Sequence, residues 1–143
     1  MEMKLTELTR LTWSGPPQVK KNRQRILQLK TRTGSRPIIA PSADYSAAKK
    51  VAAKEIGLQY RGPALGSKKQ PLRLLCMFYL PPRSAPDFDN LYTAALDILQ
   101  SAGVLANDYF VLAPLPESDR VRDVERPRTE VVIYWQEDYE WRV

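Results

Sequence analysis

Pro86-Asp87-Phe88-Asp89-Asn90-Leu91-Tyr92-Thr93-Ala94-Ala95-Leu96-Asp97-Ile98-Leu99-Gln100-Ser101-Ala102-Gly103 is the stretch on which the reading of this chain turns. Pro86 stops a preceding strand, Asp87 reads as an N-cap and Gly103 as a C-cap, so the pattern predicts a helix over 87–102. At about 100° per residue, Phe88, Leu91, Tyr92, Ala94, Ala95, Leu96, Ile98, Leu99 and Ala102 cover one side. Asp89, Asn90, Thr93, Asp97, Gln100 and Ser101 cover the other. The apolar side is core. The polar side holds two acids and no base in a chain that is basic overall, so its negative charge calls for a partner. Beyond the helix, Asn107-Asp108 returns a further carboxylate towards its start. Clustered aspartates without lysine or arginine among them suit Mg²⁺ or Mn²⁺. The competing reading is structural, because an acid at a helix start satisfies free N–H groups and stabilises the helix by roughly 0.5–2 kcal/mol.

The chain has 143 residues, 43% of them hydrophobic, which suits one domain, 1–143, with a real core. No apolar run reaches the roughly 20 residues that span a bilayer, and no signal-peptide pattern opens the chain, so a cytoplasmic protein without membrane contact is expected. The single cysteine, Cys76, forbids an internal disulfide and reads as a buried apolar residue. The absence of histidine narrows the chemistry further: no Ser-His-Asp or Cys-His arrangement is available, nor an ordinary zinc site. A hydrolase built from this chain must activate water without histidine, and a carboxylate-held divalent ion is the obvious remaining route. Charge is divided: residues 1–83 carry 17 Lys and Arg against 4 acids, a net of +13, whereas residues 84–143 carry 5 against 12, a net of −7. A basic half for a polyanion beside an acidic half for metal is the implied division.

Residues 5–13 alternate as a strand and end at Ser14-Gly15-Pro16-Pro17, a turn. Lys20, Lys21, Arg23 and Arg25 follow with no acid among them and are candidates for phosphate contacts. Residues 25–31 and 36–40 predict a hairpin in which Gly34 takes a positive φ. Ser42 or Asp44 caps a helix to about Gly57, with Tyr45, Ala48, Val51, Ala52 and Ile56 inward and Lys49, Lys50 and Lys54 opposite. A basic loop over 59–70 leads to 72–80, apolar nearly throughout and expected at the centre of a sheet. Residues 109–112 read as a short strand, 113–129 as a long loop carrying Arg120, Arg122, Arg126 and Arg128, and 130–135 as a closing strand. The tail, 136–143, holds three acids and two aromatics, and its sequence leaves open whether it packs or is loose. The expected fold is α+β, one small mixed sheet packed against two main helices.

Asp87-Phe88-Asp89-Asn90-Leu91, with Leu96-Asp97-x-Leu99, Ala102-Gly103-Val104 and Asn107-Asp108, resembles the RusA family of Holliday junction resolvases. Pro16-Pro17 followed by Asn22-Arg23 is a second point of similarity, and the resemblance spans about residues 5–112. It implies a homodimer that binds four-way or otherwise branched DNA and makes paired nicks with Mg²⁺, in recombination, repair or phage DNA processing. It also implies that Asp87, Asp89 and Asp108 are the catalytic and metal-holding aspartates. Asn90, Thr93 and Asp97 would stand around them, with Lys20, Lys21, Arg23, Arg25, Arg83, Arg120 and Arg122 on the DNA backbone. This sequence departs from the family at Thr93, where members commonly carry a lysine important for cleavage, and at Asn107, where they carry a second acid. Either another cation, such as Lys20, Lys21 or Arg83, substitutes, or the protein binds junctions and cleaves them weakly or not at all. A phosphatase-type Asp-x-Asp-x-Thr is absent, since Leu91 follows Asn90.

Overall fold

Among the described residues, nine elements follow one another in the computed structural model: β1 (Leu5–Ser14), β2 (Gln24–Thr31), β3 (Gly34–Pro41), α1 (Ala43–Gln59), β4 (Leu72–Tyr79), α2 (Phe88–Ser101), a 3-10 turn (Asp108–Phe110), β5 (Asp119–Val121) and β6 (Arg128–Gln136). The structure describes residues 2–17, 24–31, 34–41, 43–82, 86–122 and 124–141. Four strands form a mixed sheet in the order β1-β6-β4-β5, with β6 antiparallel to both neighbours and β5 parallel to β4. β2 and β3 form a separate hairpin, in register from Gln24↔Pro41 to Thr31↔Gly34, and Gly34 has φ +148°. The molecule is a small α+β domain in which the two helices pack on one face of the four-stranded sheet.

Alternation along the strands builds that face. Leu72, Leu74, Cys76 and Phe78 of β4, Val131 and Ile133 of β6, and Leu11 and Trp13 of β1 are buried. They join Ala52 and Ile56 of α1 and Leu91, Ala95, Ile98 and Leu99 of α2 in one core. β4 is central, as its apolar run implies. Its second face, Arg73, Leu75, Met77 and Tyr79, is only half-buried, since α1 and α2 both pack on the first.

α2 follows the predicted wheel: Leu91, Ala94, Ala95, Ile98 and Leu99 are buried. It closes through a Schellman arrangement, with Val104 N donating to Leu99 O and Gly103 N to Gln100 O, and Gly103 at φ +80°. α1 differs from its predicted wheel. Val51 is 60% exposed, and Lys49 turns towards α2 to pair with Asp97 at 3.1 Å.

Three expectations from the second half of the chain are corrected. The strand expected over 109–112 is the 3-10 turn, because the Asn107 side chain accepts from Tyr109 N and curls the backbone, leaving only Val111 bridged to Leu72. The expected loop over 113–129 contains β5, whose Met77↔Asp119, Phe78↔Arg120 and Tyr79↔Val121 pairs extend the sheet beyond β4. The closing strand is longer than 130–135 and lies inside the sheet, between β1 and β4. The tail packs as far as Trp141: Glu137 N donates to Lys4 O, Trp141 Nε1 donates to Lys68 O at 2.8 Å, and the Trp141 ring stacks on Tyr109. No helix among the described residues is long and apolar enough to cross a membrane.

Candidate nuclease site

α2 begins where β4 ends, and the register across the sheet fixes what surrounds that point. Ser14, Arg128, Tyr79 and Val121 pair in one row through the four strands, so the C-terminal ends of β1, β4 and β5 and the N-terminal end of β6 lie together. Phe88 anchors the first turn by packing edge-on against Phe78, with ring centroids 5.5 Å apart. Arg120, paired with Phe78 in the register, donates from Nη1 to Pro86 O, one residue ahead of Asp87.

Asp87 holds the N-cap position, with φ −66° and ψ 151°, and its carbonyl accepts from Leu91 N at 3.1 Å. Its carboxylate makes no cap hydrogen bond. Helix formation does not need that bond. Burying Leu91, Ile98 and Leu99 supplies roughly 1.5–3 kcal/mol each, more than the roughly 1 kcal/mol of a typical cap. Asp89, in the first turn, is exposed as well. Asp108 opens the 3-10 turn, exposed, while the capping there falls to Asn107. Among the described residues, no hydrogen bond or ion pair engages the carboxylates of Asp87, Asp89 or Asp108. The first turns of α2 and the segment after Asp108 are linked where the Tyr92 hydroxyl meets Leu112 O at 3.5 Å.

The remaining polar residues of α2 divide. Thr93 Oγ1 donates to Asp89 O at 2.9 Å, a back-bond within the helix that leaves the hydroxyl turned to its own backbone. Asp97 accepts from the Tyr45 hydroxyl at 2.5 Å and from Lys49 Nζ at 3.1 Å. It therefore ties α2 to α1 by polar contacts beside their shared core, and Lys49 supplies a cation that the acidic stripe lacks in its own sequence. Burial first, and then the bond to Asp97, pushes the Tyr45 hydroxyl above its ordinary titration range. Asn90 is half-buried in the first turn.

Basic side chains line the same end of the sheet. Arg120 lies on β5 and Arg122 just beyond it, exposed. Arg128 stacks its guanidinium 3.8 Å above the Tyr79 ring and donates from Nε to Glu130 at 2.9 Å. Arg126 is exposed, and with Arg128 it borders a pocket of about 210 Å³ whose other walls are Thr12, Trp13, Ser14, Glu55 and Pro127. Lys20, Lys21, Arg23 and Arg83 lie outside the described residues, and Arg25 is described only as a backbone position paired with Ala40 on β2. The anchoring role of Arg120 and the participation of Trp13 and Arg128 do not emerge from sequence patterning. The available signal was Arg126-Pro127-Arg128 directly ahead of a strand, two cations held by a residue of fixed φ.

No protein-family model matches this chain, and no curated protein matches it. The case for a metal therefore rests on the donor set alone. Three exposed carboxylates with no other engagement are the hard oxygen donors that Mg²⁺ and Mn²⁺ take. Among the described residues, however, no three acidic or cysteine side chains converge closely enough to hold an ion.

Proposed function

We propose that this protein is a divalent-metal-dependent endonuclease of branched DNA, a Holliday junction resolvase of the RusA kind, with Asp87, Asp89 and Asp108 as its metal-holding carboxylates. The observation that carries this reading is Asp87, which occupies the cap position without capping, so the structural explanation for an acid there does not use its carboxylate. The resemblance across Asp87–Leu91 and Asn107-Asp108, and the gathering of Arg120, Arg122, Arg126 and Arg128 at the end of the sheet where α2 begins, support it. A bound divalent ion would supply a water of lowered pKa and neutralise charge developing on the phosphate. The chain's own residues do the rest. Arg120 and Arg122 present cations to the phosphodiester backbone, positioning it without reading bases. Arg120, tied to Pro86 O, brings a guanidinium to the helix start, where Thr93 offers no charge. Two sites are needed for paired nicks on a near-twofold junction, hence an isologous homodimer.

The test is a labelled four-way junction incubated with and without Mg²⁺. Wild type nicks only with metal, and Asp89→Asn lowers the nicking rate by at least about a hundredfold while junction affinity stays within about threefold. Retained nicking by Asp89→Asn removes that residue from the role. A second reading, a junction-binding protein without cleavage, is favoured by Thr93 alone, whose hydroxyl is bonded to Asp89 O. It predicts salt-sensitive junction binding and no nicked product at any metal concentration.

A further inference from the structure

Tyr109 is 63% exposed, and neither the core nor the proposed metal site uses its ring. It is nevertheless held. Its N–H donates to Asn107 Oδ1 at 2.9 Å, and its ring lies parallel to that of Trp141, with an interplanar angle of 3° and centroids 5.7 Å apart, an offset stack. Trp141 is fixed in turn: Nε1 donates to Lys68 O at 2.8 Å, and the Tyr139 ring meets the indole at 84° with centroids 5.1 Å apart. Residues 139–141 thus return across the fold to support a ring that faces solvent. A ring ordered from one side and open elsewhere is a surface for a second flat molecule.

The bond from Trp141 to Lys68 sets two cations beside this ring. Ser67 and Gln70 pair in both directions, at 3.1 and 3.0 Å, which puts Lys68 and Lys69 at the tip of a tight turn, both exposed. No hydrogen bond or ion pair engages either ammonium group among the described residues. Of the acids nearby, Glu137 accepts from Thr6 Oγ1 and Asp138 from Lys4 N, both at the start of β1, and Asp108 is a proposed metal ligand. Glu140, exposed, is left against the two lysines. A flat ring bordered by cations selects a flat ligand that carries negative charge, which describes a nucleotide: the base stacks and its phosphate meets the lysines. Bases inside a duplex have both faces covered by their neighbours, so the ring is open only to an unpaired one. We propose that Tyr109, backed by Trp141 and bordered by Lys68 and Lys69, is a stacking platform for an unpaired base of a DNA strand. Tyr109 follows Asp108 directly, so the choice of DNA rests on the nuclease reading, whereas the platform itself needs neither metal nor cleavage.

The test is the fluorescence anisotropy of a labelled single-stranded thymidine oligonucleotide titrated with the full chain in the absence of metal. Wild type is expected to bind it at least about fivefold more tightly than an abasic strand of the same length, which keeps the phosphates and removes the rings. Tyr109→Ala is expected to erase that difference, and Tyr109→Phe, which keeps a ring, to preserve it. Preservation by the ring without its hydroxyl separates stacking from a loss of fold. No binding of either strand by wild type, an abasic strand bound as tightly as the thymidine strand, or a difference that Tyr109→Ala leaves intact overturns the proposal. Nicking of a four-way junction is read separately. Nicking without the expected strand preference removes the platform and keeps the nuclease reading, and the strand preference without nicking keeps the platform and removes that reading.

Discussion

Asp87 shows how a residue type can be correct for one purpose and used for another. It stands where an N-cap stands, and its carboxylate makes none of the bonds a cap makes. Asp87→Ala is therefore expected to change the unfolding free energy by less than about 0.5 kcal/mol, below the roughly 1 kcal/mol that removing a working cap costs, as read by urea titration. A loss of a full kcal/mol or more would return Asp87 to the structural role. Cys76 carries the clearest pH signature. Burial pushes its thiol up from an ordinary 9.0 to about 12, while the unfolded chain releases that proton near its ordinary value. The folded state thus binds more protons across this window, so stability is full below pH 9 and is lost as pH rises towards 12, by at most about 1.4 kcal/mol per unit for this group. Urea titrations at pH 8.5 and 10 should show the loss in wild type and a flatter response in Cys76→Ala. An equal slope in the variant would place the loss elsewhere.

At the scale of elements, α2 was legible because its 3.6-residue period is uninterrupted and its ends carry Pro86 and Gly103. The C-terminal end makes a direct test. Gly103 has φ +80° with open space around it, so Gly103→Ala meets no clash and costs only the left-handed strain, about 1 kcal/mol in urea unfolding. A neutral substitution would show that the Schellman turn relaxes. β5 was not legible, because Asp119-Arg120-Val121 has neither length nor alternation and becomes a strand only through the free edge of β4. The 3-10 turn is hidden for a related reason: the aromatic run Tyr109-Phe110 has the composition of a strand, and the Asn107 side chain curls it. Val51 was placed inside by its position on the wheel, whereas α1 turns Glu55 and Gln59 towards Ser14 and Thr12 of β1, and that tertiary choice exposes Val51.

Across the whole molecule, strand register brings Arg120 and Arg128, eight positions apart in the sequence, to the end of the sheet where α2 begins. The division of charge along the chain does not foretell this. Arg120, Arg122, Arg126 and Arg128 belong to the acidic half by sequence, yet they line the sheet end where α2 starts. The candidate aspartates were readable from type and spacing; that their carboxylates are unspent was readable only from the fold. The proposed activity requires Asp87, Asp89 and Asp108 to act together on one cation. Calorimetric titration with Mn²⁺ in the absence of DNA measures this directly. Wild type is expected to bind saturably, and Asp89→Asn and Asp108→Asn are each expected to weaken binding at least about tenfold, since each removes a ligand from the same ion. Binding that one substitution abolishes and the other leaves untouched, or no binding by wild type, would contradict it.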